Sequence, residues 1–274
     1  MYPSFGLRCE AFGSGSFTGV LWYTCLDAEG SGRWWEDQAE AGRLEMTAAE
    51  VQLKEASQLS KAGGRTATAH AVGVAAVVAA AGFSRRMGRF KPLLPWGKGS
   101  VIEAAADALA SGGASPVLVV VGHRGGEIAE RLAAATAGVV FNPDYARNEM
   151  LRSFQVGIGA LISEHCQVQG TLLALGDQPH IPAAVVGQII GCAAERIDSI
   201  VVPSHDLRRG HPVFLPRRLF PALLNMTEGQ SLRDLLNGHA GDIEYVEVKD
   251  DSVRRDMDVP AEYEALRAEF EGTG

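Results

Sequence analysis

Residues 77–95 read VVAAAGFSRRMGRFKPLLP, and this stretch decides the fold. An apolar run narrows to three alanines and Gly82, passes through a short loop carrying Ser84, Arg85, Arg86 and Gly88, and reaches Lys91. Continuous rather than alternating hydrophobicity suits a strand buried on both faces. Such a strand delivers backbone amides, guanidinium groups and an ammonium group to one place, the combination that holds a polyphosphate. Gly82 and Gly88 let the backbone approach a ligand closely and take dihedrals that other residues resist. The pattern is neither the P-loop nor the dinucleotide fingerprint: no Gly-Lys-Ser/Thr follows, and GxGxxG is missing. A glycine turn after a strand is often only a turn, and a basic loop is often only solvated, so the rest of the chain has to carry part of the argument.

Outward from this stretch the pattern is regular. Apolar runs fall at 72–80, 117–121, 139–141, 171–175, 199–202 and 243–248, with helix-like stretches at 101–110, 126–135, 153–162, 183–196, 231–236 and 261–270. Alternating strands and helices predict right-handed βαβ units and a doubly wound, mostly parallel α/β sheet of the Rossmann-like kind. Ligands in such folds sit beyond the carboxyl ends of the strands.

Residues 1–70 read differently and are taken as an N-terminal extension that packs poorly or not at all. Residues 71–274 form the globular domain. In the extension Gly, Ser and the aromatics Trp22, Tyr23, Trp34 and Trp35 follow no period, although residues 44–61 have a loose helical face that Gly63-Gly64 would end. No chemistry is assigned to it.

A hydrophobic content of 46% with 21% charged residues is that of an ordinary soluble globular protein. A net charge of -8 and a pI near 5.4 exclude a general nucleic-acid binder, because phosphate backbones require a basic surface. Cys9, Cys25, Cys166 and Cys192 show no metal-binding spacing and read as reduced thiols of a cytoplasmic protein. The first thirty residues lack the layout of a signal peptide, and the run at 71–82 is too short to span a bilayer.

Four further constellations follow predicted strand ends. Gly176-Asp177-Gln178-Pro179 comes directly after TLLAL. Asp177 there is either a Mg²⁺ ligand, since nucleotide-bound Mg²⁺ takes only one or two protein carboxylates, or a turn and cap residue. In Asp256-Met257-Asp258-Val259-Pro260 the two aspartates at i and i+2 face one side of an extended chain, with helix capping by Asp258 as the bland alternative. Arg209-Gly210-His211-Pro212 fixes a histidine beside the place a second substrate would occupy, where hydrogen bonding or shape suits it better than proton transfer. In NEMLRSFQVG (148–157), Arg152 and Ser153 stand at a helix start and can bind an anion or a base edge, or merely cap.

Together these motifs identify a resemblance. AAAGFSRRMGRFKPLL is similar to the LAAGxSxRMGxxKxLL signature of the molybdopterin-nucleotide transferases. GDQP, RGHP and DMDVP stand in that family's order and at similar distances over residues 72–270. Ala80-Ala81-Gly82 resembles the cytidylyl branch, where the guanylyl branch usually has Ala-Gly-Gly, and the extra methyl groups narrow the space for the base. The chain departs from the last motif at Val259 and Ala261, which replace the usual Thr and Glu. The resemblance implies that Ala80, Ala81 and Gly82 line the nucleotide, with Ser84, Arg86 and Gly88 around the triphosphate. It gives Lys91 the charge developing at the α-phosphate and gives Asp177 and Asp258 a Mg²⁺ ion. Ser153 would lie near the cytosine, and Gly210 and His211 near a pterin.

The implied reaction is transfer of CMP from CTP to a molybdopterin-type cofactor, with a molybdenum hydroxylase apoenzyme as downstream partner. A nucleotidyltransferase for a sugar or polyol phosphate would share the loop and Asp177 but differ around 209–212. A non-catalytic carrier of the cofactor could dispense with Lys91 and both carboxylates.

Overall fold

The computed structural model describes the backbone of β1 (Arg8–Ala11) and β2 (Trp22–Leu26), and residues 73–272 except 134, 136, 148, 149 and 166. The expected helix over 44–61 lies outside the described residues. The apolar run that opens the domain forms β3 (Val74–Ala80), and its alternate residues enter two different cores. Val74, Ala76, Val78 and Ala80 pack on one side of the sheet, while Ala75 and Val77 pack on the other. Burial on both faces is what the unbroken apolar run requires.

The other elements come in the expected alternation. A small antiparallel pair, β4 (Pro95–Trp96) and β5 (Gly99–Ser100), leads into α1 (Val101–Ser111), β6 (Val117–Val121), α2 (Gly125–Leu132) and β7 (Ala137–Phe141). Then come α3 (Met150–Glu164), β8 (Gly170–Leu175), α4 (Ala183–Glu195) and β9 (Ile200–His205). β10 (Arg208–Arg209), β11 (Val213–Pro216), α5 (Phe220–Leu224), α6 (Leu232–Gly238), β12 (Ile243–Glu247) and α7 (Pro260–Gly272) complete the chain. Local chemistry sets several boundaries: Ser100 with Glu103 and Ser231 with Asp234 form capping boxes at α1 and α6.

In the sheet β7, β6, β3 and β8 run parallel and adjacent in that order. The chain steps outward from β3 through β6 to β7, then crosses back to place β8 on the other side of β3. The carboxyl ends of β3 and β8 therefore flank the switch point where such folds bind ligands. β2 extends the sheet parallel to β7, and β1 pairs antiparallel with β2. Helices α1, α2 and α4 cover one face, with Ile102, Leu109, Ile128 and Val186 in the core. Helices α3, α5 and α6 cover the other, with Phe154, Ile158, Phe220 and Leu235. A third, smaller core of Met87, Leu94, Trp96, Val101, Met257, Tyr263 and Leu266 ties the basic loop to α7. Among the described residues no helix is long and apolar enough to cross a membrane.

The sheet is mixed rather than wholly parallel, because β11 inserts antiparallel between β8 and β9. Its four-residue run VFLP, bounded by Pro212 and Pro216, is too short to announce itself by periodicity. β10 and β11 belong to one hairpin with β9, and residues 210–212 bulge out of register between them. The helix expected from 153 begins earlier, at Met150, which places Ser153 inside the first turn rather than ahead of it.

Phe214 of β11 is fully buried, and its ring fills the space over Gly170, where a Cβ would lie 2.4 Å from the ring. Phe214→Ala is expected to lower the urea-unfolding free energy by about 3–5 kcal/mol, as large-to-small changes in a core do. A loss below about 1 kcal/mol would show that β11 is not part of that core.

Candidate active site

Beyond the ends of β3 and β8 the chain leaves a cleft of about 390 Å³. One wall is the chain from Ala79 to Arg86, another is Leu175 to Asp177, and a third is Asn142, Tyr145, Met150 and Ser153. Lys91, Asp256 and Asp258 stand at its floor and mouth.

Why the basic loop takes its shape is local. Ser84 adopts φ 54° and Gly88 φ 65°, both left-handed, on either side of a single 3₁₀ turn over Arg85–Met87. Glycine meets that demand at no steric cost, whereas serine does not. The Ser84 hydroxyl accepts the Lys91 backbone N–H at 3.1 Å and so fastens the far end of the loop to its beginning. Met87 is buried in the third core, which fixes the loop from below.

Lys91 is the centre of the arrangement. It is 7% exposed, and its Nζ donates to Asp258 Oδ1 at 2.6 Å and to Asp177 Oδ2 at 3.0 Å. Arg86 reaches the other oxygen of Asp258 at 2.7 Å. Burial alone would lower the Lys91 ammonium, but Asp177 and Asp258 more than offset it and raise it above its ordinary value. The lysine is therefore a fixed cation. Asp256 lies beside this group, and burial with the charges of Asp258 and Asp177 pushes its carboxyl above the usual carboxylate range. Met257 between the two aspartates is buried in the third core, which turns both carboxylates to the cleft. The departure at Val259 and Ala261 is compensated one residue later, since Glu262 Oε2 accepts the N–H groups of Asp258 at 2.6 Å and Val259 at 3.1 Å.

On the opposite wall Asn142 and Ser153 are both buried, and Asn142 Nδ2 donates to the Ser153 hydroxyl at 3.2 Å. Arg152, a candidate anion ligand, is paired with Asp144 at 2.8 Å instead. Phe83 packs against Tyr145 and His123, with the Arg85 guanidinium 4.8 Å from its ring centroid.

The structure thus brings Ala80, Ala81, Gly82, Ser84, Arg86, Lys91, Ser153, Asp177 and Asp258 to one cleft. Gly88 shapes the loop without lining it. Gly210 and His211 do not line it either. Asn142, Tyr145 and Phe83 line it as well; of these only Asn142 carries a sequence signal, the Asn-Pro-Asp directly after β7.

Among the described residues no three His, Cys, Asp or Glu side chains converge as an all-protein metal cage. Asp177 and Asp258 nonetheless already share one cation, the Lys91 ammonium, and Asp256 adds a third carboxylate against the two cations Lys91 and Arg86. That donor set fits a divalent ion whose shell is completed by phosphate oxygens and water.

A mostly parallel sheet with a small-residue basic loop at its switch point and a paired carboxylate site opposite defines a nucleotide-handling α/β protein. Residues 76–243 match the MobA-like NTP transferase domain, and the chain belongs to that family. It is 29% identical to the molybdenum cofactor cytidylyltransferase of Escherichia coli K12 over 189 residues, covering 68% of this chain and 92% of that protein. It is 30% identical to nicotine blue oxidoreductase of Paenarthrobacter nicotinovorans over 192 residues, covering 68% of this chain and 92% of that protein. The structure superposes on Rv0371c from Mycobacterium tuberculosis H37Rv with a TM-score of 0.62 at 27% identity, over 72% of this chain and 99% of that one. Rv0371c has also been solved in complex with manganese.

His211, outside the cleft, makes the fold sensitive to pH. Its Nε2 is sealed from solvent without a hydrogen-bond partner, and burial pushes the imidazole down to about 4, with Asp177 pulling weakly the other way. The neutral ring is the folded form, so its stabilisation is fully present above the unfolded imidazole range and is lost as pH falls toward 4. Between about pH 7 and about pH 5 the wild type is expected to lose roughly 2 kcal/mol more unfolding free energy than His211→Gln. Parallel losses in urea titrations of the two proteins would contradict the burial of the ring.

Proposed function

We propose that the chain transfers CMP from CTP to the terminal phosphate of a molybdopterin-type cofactor and releases pyrophosphate. The observation that carries this reading is Lys91 held between Asp177 and Asp258 beneath a loop of small residues and arginines. Phosphoryl-group transfer needs positioning and cation placement more than proton transfer, and the cleft supplies both. The pterin acceptor and the choice of CTP rest on the resemblance to the cytidylyltransferase and on Ala80 and Ala81, whose methyl groups narrow the space beside the loop.

The residues divide the work as follows. Backbone amides from Gly82 to Gly88 and the guanidinium of Arg86 hold the triphosphate. Asp177 and Asp258 would hold Mg²⁺, which would supply positive charge to the phosphates. Lys91, a permanent cation at the same point, stabilises negative charge gathering at the α-phosphate. An oxygen of the acceptor's phosphate bonds to the α-phosphorus while the bond to the β-phosphate's bridging oxygen breaks, and pyrophosphate departs. Asn142 and Ser153 present polar atoms to the base edge, and Gly82 leaves the backbone open above it.

One relative bears the name of an oxidoreductase, so family membership leaves the chemistry open. The lysine bridging two carboxylates favours transfer, because a redox site has no need of a second carboxylate held for a metal. Removing one such cation costs about 10²–10³-fold in rate, or roughly 3–4 kcal/mol. Purified Lys91→Ala and Asp177→Asn are each expected to lose at least that factor in pyrophosphate release from CTP, measured with Mg²⁺ and a molybdopterin-type acceptor, while keeping the wild-type circular dichroism. Release from GTP but not CTP would overturn the base choice, and wild-type rates in either variant would remove that residue from the mechanism.

A further inference from the structure

Gly210 and His211 stand outside the cleft, and what they touch is the segment that leads into Asp258. A Cβ at Gly210 would lie 2.2 Å from the Val253 carbonyl oxygen, so only glycine lets the two backbones meet. The His211 N–H donates to that same carbonyl at 3.1 Å. From the loop after β8, His180 Nε2 donates to the Ser252 carbonyl at 3.0 Å and Gln178 Nε2 to the Arg255 carbonyl at 3.4 Å. Three backbone acceptors within four residues are thus taken up by the loop that carries Asp177 and by the bulge after β10. Val253 is 1% exposed and belongs to the main core, so the segment is clamped from both sides.

Beyond it Met257 is buried and the N–H of Asp258 is held by Glu262, which leaves Asp258 little freedom. Met257 anchors the residue in the third core, and residues 252–255 dock the same segment on the loop that carries Asp177, so the spacing of Asp258 from Asp177 passes through them. Metal ligands need placement within about 0.5 Å, and groups that orient them matter nearly as much as the ligands do. We propose that His180 and Gly210 are positioning residues that set the spacing of Asp258 from Asp177, and that the Arg-Gly-His-Pro bulge serves the metal site and not the acceptor. The inference rests on the two-carboxylate metal site of the proposed function, but not on the identity of the acceptor.

The chemistry at His180 makes a clean test. A ring nitrogen that donates to a carbonyl carries the proton at Nε2, leaving Nδ1 as the acceptor, and that Nδ1 is buried without a partner. A glutamine amide can supply the same N–H, whereas alanine cannot. The measurement is Mn²⁺ affinity of the full chain saturated with CTP and without acceptor, followed by the electron paramagnetic resonance of free Mn²⁺. His180→Ala and Gly210→Ala are each expected to weaken Mn²⁺ by about 10–100-fold, the range found for orienting groups. His180→Gln restores most of the loss, and CTP affinity in the presence of a chelator stays unchanged. In an Asp258→Asn background neither substitution has a further effect, which a general loosening of the fold would not produce.

Mn²⁺ affinity within twofold of wild type in both folded variants would overturn the inference, as would losses of equal size with and without Asp258. Unchanged Mn²⁺ affinity with a raised KM for the acceptor would return the bulge to substrate binding. Failure of the wild type itself to bind Mn²⁺ beside CTP would contradict the metal-dependent transfer reading, and this inference with it.

Discussion

A buried ammonium group is the constraint around which this protein is arranged. Lys91 is almost wholly removed from water, and an unpaired charge there would cost several kcal/mol, so the fold has to bring it partners. It brings Asp177 from the end of β8 and Asp258 from the approach to α7, segments separated in sequence by 86 and 167 residues from the lysine. Losing one of the two contacts would leave the ammonium with a single partner, and losing both would leave a buried charge without compensation. A triphosphate and a divalent ion would enter a place whose charges already face the right way.

The sheet order makes this convergence possible. Because β8 lies directly beside β3, the loop after each strand opens on the same crevice, and Asp177 meets Lys91 without a long excursion of chain. Asp258 comes from much further along, and residues 252–255 help to bring it in by docking on the loops behind Asp177. The small core of Met87, Trp96, Met257 and Tyr263 joins the basic loop to α7, so the two sides of the cleft are parts of one packed unit.

Much of this was legible in the sequence, for reasons that differ by element. β3, β6 and β8 are unbroken apolar runs because both of their faces are covered, and α1 and α4 carry clear helical periods. Most of the cleft residues were readable because they sit at or just after the ends of β3 and β8, in short polar or glycine-bearing segments. β11 is not legible because the three residues between Pro212 and Pro216 carry no period, although Phe214 is among the most deeply buried side chains. The contacts of Gly210 and His211 were not readable, since sequence shows that a loop is constrained without showing what it touches. Their partner, the Val253 carbonyl, has no sequence signature at all. Asn142 is opaque for the opposite reason: an Asn-Pro-Asp turn has an ordinary structural explanation.

Where a nucleotide and its metal sit is the decisive question for this site. Diffraction from crystals soaked with CTP and Mn²⁺, recorded for the anomalous signal of manganese, locates both at once. One manganese peak bound by Asp177 and Asp258 is expected, with the triphosphate along residues 82–91 and Lys91 turned to the α-phosphate. A nucleotide bound elsewhere, or manganese held without either carboxylate, would contradict that placement.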